Sequence, residues 1–350
     1  MALPSDEPLA APPPLNAWAE EERPGLDGAR RLLLGNEFGL LVVILLFGAL
    51  FAFVSAGFLS SFSLFALGRT AAINITIGLA MMVVIVTGGL NLAIGAIGVA
   101  SAMAAGWLMQ VIGLPWPIAV AAGLAVGTAL GWLNGIIIVR SGLHSFIITL
   151  ATMSVFFGVM IYLTRAESYR EIAPAVAMLG RLKIGGVVSP LLVIAVATGV
   201  LLVVLYRFTA LGREMLAAGA RPAAAELSGI RVGRTIVVCH MLSGLLAALA
   251  GLMLTARNGA AIPSMAGQLG QDWLLPAFLG PVLGGTLLTG GKVSVTGTIL
   301  GAFLVTMLTT GLLLLQVGEF WVQSFLGLLL LAAVLLDLAR RSYLARRGLA

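Results

Sequence analysis

An all-α, polytopic membrane protein is the fold class that the sequence predicts, with about ten transmembrane helices arranged as two related halves. Three observations carry this expectation. Of the 350 residues, 60% are hydrophobic and 10% charged, and the mean hydropathy is +1.10; a soluble domain carries about 25% charged residues. The apolar residues gather into stretches of about 20, the length that a helix needs to cross a bilayer. One Gly-rich pattern also occurs twice, as GGLNLAIGAIGVASAMAAG from Gly88 and GGTLLTGGKVSVTGTILGAF from Gly284. Corresponding Gly-interrupted segments in two parts of a transporter point to its transport path.

Taken in order, the Pro-rich, acidic residues 1–37 lack a basic start followed by a short apolar run, so a disordered cytoplasmic tail is expected rather than a cleaved leader. A single transmembrane domain, 38–338, follows. Its first span is Phe38 to Phe58; the second (Thr70 to Val86) and third (Leu90 to Ile112) are parted by TGG at Thr87 to Gly89. The fourth, Pro117 to Val139, is joined by RSGLH to the fifth, Ser145 to Thr164. A polar loop from Arg165 to Gly186 leads to the sixth, Val187 to Tyr206, and a polar island, Arg207 to Arg234, leads to the seventh, Ile236 to Leu254. The short eighth, Trp273 to Leu288, is separated by GGK from the ninth, Val293 to Gln316; the tenth runs from Glu319 to Leu338, and a basic tail, 339–350, ends the chain. With the N-terminus inside, 14 of the 20 Lys and Arg residues fall on the cytoplasmic side. That bias places both termini and the island in the cytoplasm. Arg165, Arg170, Arg181 and Lys183 fall outside and run against it.

The same residues exclude several functions. The net charge of +6 sits in short loops beside apolar spans, where Lys and Arg set orientation, so no nucleic-acid partner is implied. A single cysteine, Cys239, allows no disulfide framework, and two histidines, His144 and His240, without an acidic cluster suggest packing rather than a metal site. GTLLTGGKVS resembles a phosphate loop, but Thr286 stands where Gly is required and neither Ser nor Thr follows Lys292 directly. No catalytic residue, metal or cofactor is therefore expected in this chain; if ATP drives it, another subunit carries the ATP.

Polar residues within the spans are few. Asn74 and Asn91 flank the TGG break, where a discontinuous helix frees backbone groups to line a cavity. Either a path-lining role or a helix-to-helix hydrogen bond fits them. No carboxylate pair of the kind used in proton or sodium relays lies inside a span. Gly123, Gly127, Gly131 and Gly135 recur every fourth residue of the fourth span, stacking on one face where another backbone can approach, most simply one of the same chain. The island reads as two short helices: Leu211, Met215 and Leu216 share a face, Gly219 breaks the helix, and Pro222 opens the next. Ser228 and Gly229 end it.

LAAGARPAAAELSGIRVGRTIVVCHMLSGLLAALAGLML in and after this island resembles the cytoplasmic segment of permease subunits of ribose- and xylose-type ABC sugar importers. Four more stretches resemble the same family in the same order: VTGGLNLAIGAIG, LNGIIIVRSGLHSFIITLATMSVFFG, DWLLPAFLGPVLGGTLLTGGKVSVTGTILGA and EFWVQSFLGLLLLAAVLLD. Together they cover roughly Thr70 to Asp337. The resemblance implies a permease of the bacterial inner membrane that pairs with a second permease subunit. It would receive a sugar from a periplasmic binding protein and alternate access as two ATPase subunits close. It implies that Ala217, Ala218, Gly219, Arg221, Pro222, Ala224, Glu226, Leu227, Ser228 and Gly229 dock the ATPase. It also implies that the break Thr87, Gly88, Gly89, Asn91 and Gly95 faces the path; Asn74, Gly284 and Gly285 join that set as the break's flank and its repeat.

The chain departs from the family at several of these positions. Asn91 stands where Asp is usual, followed by Ala93, Ile94 and Ala96 in place of Ser, Val and Ser. His144 and Ser145 replace a proline pair, and Arg221 replaces Asn. A branched-chain amino-acid permease is the nearest alternative, because Gly-Leu-Asn-Leu also occurs there; an ion-coupled secondary carrier is an alternative of another class.

Overall fold

The computed structural model describes residues 36–55, 57–318, 321–332 and 335. Of the two expected tails, therefore, only Asn36 and Glu37 lie among the described residues. Among these residues the α-helices are, in order, α1 (Asn36–Val54), α2 (Ser61–Ile85), α3 (Ile94–Gln110), α4 (Trp116–Ser141), α5 (Ser145–Thr164), α6 (Pro174–Arg181), α7 (Pro190–Phe208), α8 (Ala210–Ala220), α9 (Pro222–Leu227), α10 (Val232–Asn258), α11 (Leu274–Leu283), α12 (Val295–Leu314) and α13 (Trp321–Ala332). A 3-10 turn, Gln268–Trp273, precedes α11. Among the described residues there is no strand, only isolated bridges.

Among the described residues, seven helices are long and apolar enough to cross a membrane: α1 from Glu37, α2, α4, α5, α7, α10 and α12. The other three expected spans take different forms. The third begins four residues later than its apolar run and shortens to the 17 residues of α3, because Leu90 to Ala93 is pulled out of helical geometry by side chains described below. The eighth shortens to the ten residues of α11, which end at Gly284 and follow a 3-10 turn with Leu269 and Gly270 in left-handed conformation. The tenth is described only over the 12 residues of α13. In the island, α8 continues through Gly219; the break falls at Arg221, whose extended backbone (φ −152°, ψ 92°) sets up Pro222 as the first residue of α9. Gly219 is spared as a helix breaker because its missing side chain is needed for packing.

Loops collect at two ends. Val86–Ala93, Arg140–Ser145, the island, Thr286–Ser294 and Glu37 lie at one, joined by contacts such as Gly291 N–H to the Val86 carbonyl at 2.9 Å and the Glu37 carboxylate with the Ser294 and Thr296 hydroxyls. At the other end Ser61 donates to the Gly186 carbonyl at 2.7 Å, Glu171 N–H donates to Gln110 at 3.0 Å, and Tyr169 pairs with Ala261. α2 is the central element: 83% of its most apolar window is buried, against 6% for α1. It packs against α10, α12, α11 and α7.

The most extensive helix contact is α4 on α10, and glycine makes it possible. Gly123, Gly127, Gly131 and Gly135 are all buried on that face. A methyl group on Gly131 would overlap the His240 carbonyl oxygen, and one on Gly135 would lie 2.7 Å from the Val237 Cα. α10 answers with Gly244 against Gly127 and Gly251 against Gly98 of α3. The repeated glycines thus serve packing within the chain. Replacing Gly131 with Leu forces α4 and α10 apart, and overpacking of this kind costs about 1–3 kcal/mol or more. The expected outcome is a lower melting temperature and yield of the purified protein, whereas Gly158→Leu, where nothing lies within 4 Å of the missing Cβ, leaves both unchanged.

Candidate functional site: two backbone breaks joined by a glycine contact

The first break lies where α2 stops and the chain turns back into α3. Thr87, Gly88 and Gly89 still bond to the last turn of α2, through Thr87 N–H to Val84 at 3.1 Å, Gly88 N–H to Ile85 at 2.8 Å and Gly89 N–H to Val84 at 3.3 Å. Gly88 takes φ +75°, which favours glycine. Beyond it the backbone is irregular until α3 begins at Ile94, and neighbouring side chains supply the hydrogen-bond partners that a helix would give. Leu90 N–H donates to the Ser145 hydroxyl at 2.8 Å and Leu92 N–H to the Thr149 hydroxyl at 3.1 Å. Ala93 N–H donates to the Asn91 amide oxygen at 3.1 Å, and the Asn91 amide N–H donates to the Ser243 hydroxyl of α10 at 2.9 Å. Asn91 is fully buried with both polar atoms engaged. Its neutral amide therefore both shapes the turn into α3 and ties it to α10.

Leaving such groups unpaired costs about 1–3 kcal/mol each, so the clamp formed by Ser145, Thr149 and Ser243 is what holds an irregular segment inside an apolar bundle. None of these three stood out in the sequence as part of the break. The one available signal was the spacing of Ser145 and Thr149, which places two hydroxyls on the same face one turn apart. His144 caps α5, its Nδ1 accepting from Phe146 N–H at 3.2 Å. His240 is buried and bonds to its own helix at Ile236.

Asn74 lies three turns before the break, where its amide N–H donates to the Thr306 hydroxyl of α12 at 3.0 Å. It thus sits apart from Asn91 and links two helices. Gly95, at the start of α3, meets Gly270 of the 3-10 turn so closely that a methyl on Gly95 would overlap the Gly270 carbonyl. One turn on, Gly98 accommodates the Trp273 ring, which a methyl would approach to 2.5 Å. The irregular segment before α11 is therefore wedged against the first break from the far side.

The second break joins α11 to α12. Gly284 closes α11, and a methyl on it would overlap the Gly297 backbone of α12. Gly285, Gly290 and Gly291 have φ of +81°, +88° and +79°. Thr286 N–H bonds to the Pro281 carbonyl at 2.9 Å, and Ser294 caps α12 through Gly297 N–H at 2.9 Å. The two breaks touch through the Gly291–Val86 bond. Into the same point comes the island: a Cβ on Gly219 would overlap the Val86 carbonyl oxygen and lie 2.6 Å from the Gly291 nitrogen. Ala220 packs on Gly291. Three backbones thus meet where only glycine allows it.

From that junction the island projects outward. Ala218 is buried and Ala217 half-buried, whereas Arg221, Pro222, Ala224, Glu226, Leu227, Ser228 and Gly229 are exposed. Ala225 and Val232 form a small core beneath α9. Leu227 is 91% exposed, a large apolar side chain held outward on a short helix that Gly229 (φ +83°) turns back. Among the described residues no cluster of His, Cys, Asp and Glu is arranged to hold a metal ion.

No solved structure gives a match to the chain. Curated relatives do: the ribose import permease protein of Bacillus subtilis is 36% identical over 321 residues, 91% of this chain and 96% of the relative. The ribose import permease protein of Escherichia coli K12 is 33% identical, covering 85% and 92%. The fructose import permease protein of Rhizobium meliloti is 32% identical, covering 85% and 84%. Residues 63–334 match the family described as the permease component of the branched-chain amino acid transport system. A helical bundle with seven apolar helices of membrane-crossing length, the Gly-rich breaks and this match over most of the sequence lead to one conclusion: the chain belongs to that family of multi-pass membrane permeases.

Proposed function

We propose that this chain is the membrane-spanning subunit of an ATP-binding-cassette importer for a monosaccharide or related polyol. A periplasmic binding protein delivers the substrate, and separate ATPase subunits supply the energy. The permease works beside a second permease subunit in the bacterial inner membrane, with both termini and the island in the cytoplasm. In this reading α3, the segment 262–283 and α13 complete ten crossings, and the two Gly-rich breaks mark two related halves. The named sugars of the curated relatives, ribose and fructose, support the substrate class.

The observation that carries the mechanism is the Gly219 junction. The exposed residues of α9 take up the ATPase surface. Movement of the ATPase pushes α9, and α8 passes the push to Val86 and Gly291 because no side chain cushions the contact. Both breaks then shift together, Thr87 to Gly95 on one side and Gly284 to Ser294 on the other, and the path changes between outward and inward states. Cores respond to such a push by switching between arrangements rather than deforming continuously.

A branched-chain amino-acid substrate is the second reading, favoured by the family description and by Gly89-Leu90-Asn91-Leu92. Against an ion-coupled carrier stands the character of the buried polar residues, which among the described residues are Ser, Thr, Asn and His.

Gly219→Ala is expected to leave ATP hydrolysis by the assembled complex within about twofold of normal and to lower uptake by more than about tenfold, since a methyl group there displaces both breaks. Paired ATPase and uptake assays read this, and unchanged uptake would remove the junction from the mechanism. Leu227→Asp is expected to release the ATPase subunits on co-purification while the permease keeps its melting temperature. In inside-out and right-side-out vesicles, sugar uptake is expected to require ATP and to ignore an imposed ion gradient; uptake on a gradient alone would transfer the protein to the carrier class.

A further inference from the structure

At the end of the bundle opposite the island, four cations gather. Arg69 lies two turns into α2, Arg181 ends α6, Lys183 follows it, and Arg257 stands in the last turn of α10. Backbone packing brings them together. Gly180 presses on Ala256 and Arg257 of α10 so closely that a methyl there would overlap the Ala256 carbonyl. Arg69 Nη1 donates to the Gly180 carbonyl at 3.1 Å. The Arg69 guanidinium and the Lys183 ammonium lie 4.7 and 5.1 Å from the centroid of the same Phe65 ring. Arg257 is near enough to Arg69 for their charges to oppose, and the Arg181 guanidinium reaches to within 3.5 Å of the Cβ position of Gly259, two residues beyond Arg257.

Among the described residues none of the four forms an ion pair, and Arg69 Nε is buried without a hydrogen-bond partner. Glu167 and Glu171 of the same loop make no such contact. Like charges held together on partly desolvated side chains are costly unless an anion offsets them. The surroundings indicate which anion. Phe62 is 72% exposed, Leu182 45% and Ile184 47%, and Phe62, Phe65 and Arg69 share one stripe of α2 by helical spacing. A site for a soluble acidic protein would carry a polar rim. Here the cations are flanked by exposed apolar side chains, an arrangement that offers contact to a phosphate and to hydrocarbon at once.

We propose that Arg69, Arg181, Lys183 and Arg257 form a binding site for the phosphate of an anionic phospholipid, with Phe62, Leu182 and Ile184 against its acyl chains. This accounts for Arg181 and Lys183, two of the four loop cations that run against the orientation count. These four are among the six basic residues that fall outside in the expected topology; they are a lipid site rather than an orientation signal. The proposal needs only that the chain spans a membrane, so it stands or falls independently of the substrate and the ATPase.

The test uses the full permease in nanodiscs of phosphatidylcholine, with and without phosphatidylglycerol. Phosphatidylglycerol is expected to raise the melting temperature of the natural protein. Arg181→Gln with Lys183→Gln, both exposed positions, keeps the phosphatidylcholine value and loses most of the increase, with apparent lipid affinity falling about fivefold per charge removed. Arg165→Gln with Arg170→Gln, also exposed on that loop, retains the increase. An equal loss in this second pair would reduce the effect to general surface charge and overturn the site. Equal stabilisation in phosphatidylcholine by inorganic phosphate or by a polyglutamate peptide would overturn the lipid assignment, as would no response to phosphatidylglycerol.

Discussion

A backbone that leaves the helix inside apolar surroundings must find a partner for every amide it frees. The structure turns on that requirement at Leu90 to Ala93. Water is the usual partner for an interrupted helix, and here hydroxyls take its place: Ser145 and Thr149 from α5, Ser243 from α10 and the Asn91 side chain itself. The consequence is mechanical. Because α5 and α10 each hold the break by side-chain hydrogen bonds, moving one alters the geometry of the other through a buried asparagine with no spare polar atom. The neutral amide at 91 suits that task, since it offers a donor to Ser243 and an acceptor to Ala93 at the same time, which a carboxylate does not.

Glycine serves the same architecture by a different route. At the α4–α10 seam it brings helices close enough for dispersion contacts between backbones, the form of attraction available where lipid removes the ordinary hydrophobic drive. At the junction of Val86, Gly219 and Gly291 it does something narrower. The absence of a side chain there leaves main chain against main chain. The island's buried face therefore has the same small-residue chemistry as a helix seam, while its outward face holds Leu227 in the open at the tip.

The fold class and the packing role of Gly123, Gly127, Gly131 and Gly135 were legible in the sequence, because hydrocarbon runs and a four-residue glycine period each map onto one physical requirement. The places where the sequence misled are equally specific. Gly219 reads as a helix break in the sequence, but α8 runs through it and stops at Arg221, where Pro222 disfavours helical geometry in the residue before it. The eighth apolar run, Trp273 to Leu288, contains Gly284, where the helix ends against the Gly297 backbone; hydropathy averages over such a residue and sees one continuous stretch. Charge counting along the basic loop also gives no sign that Arg181 and Lys183 lie beside Arg69 and Arg257, which are far from them in sequence.

By itself, then, the sequence determined that the chain is a helical membrane bundle, where its two Gly-rich breaks lie, and that an exposed polar island separates them. These follow from local composition, since bilayer thickness and helix rise convert residue counts into spans. Only the tertiary structure decided that the two breaks touch, that the island meets both at Gly219, and that Ser145, Thr149 and Ser243 hold the first break in place. Those contacts join residues more than 50 positions apart. They depend on distances between helix axes, a property that no local pattern encodes.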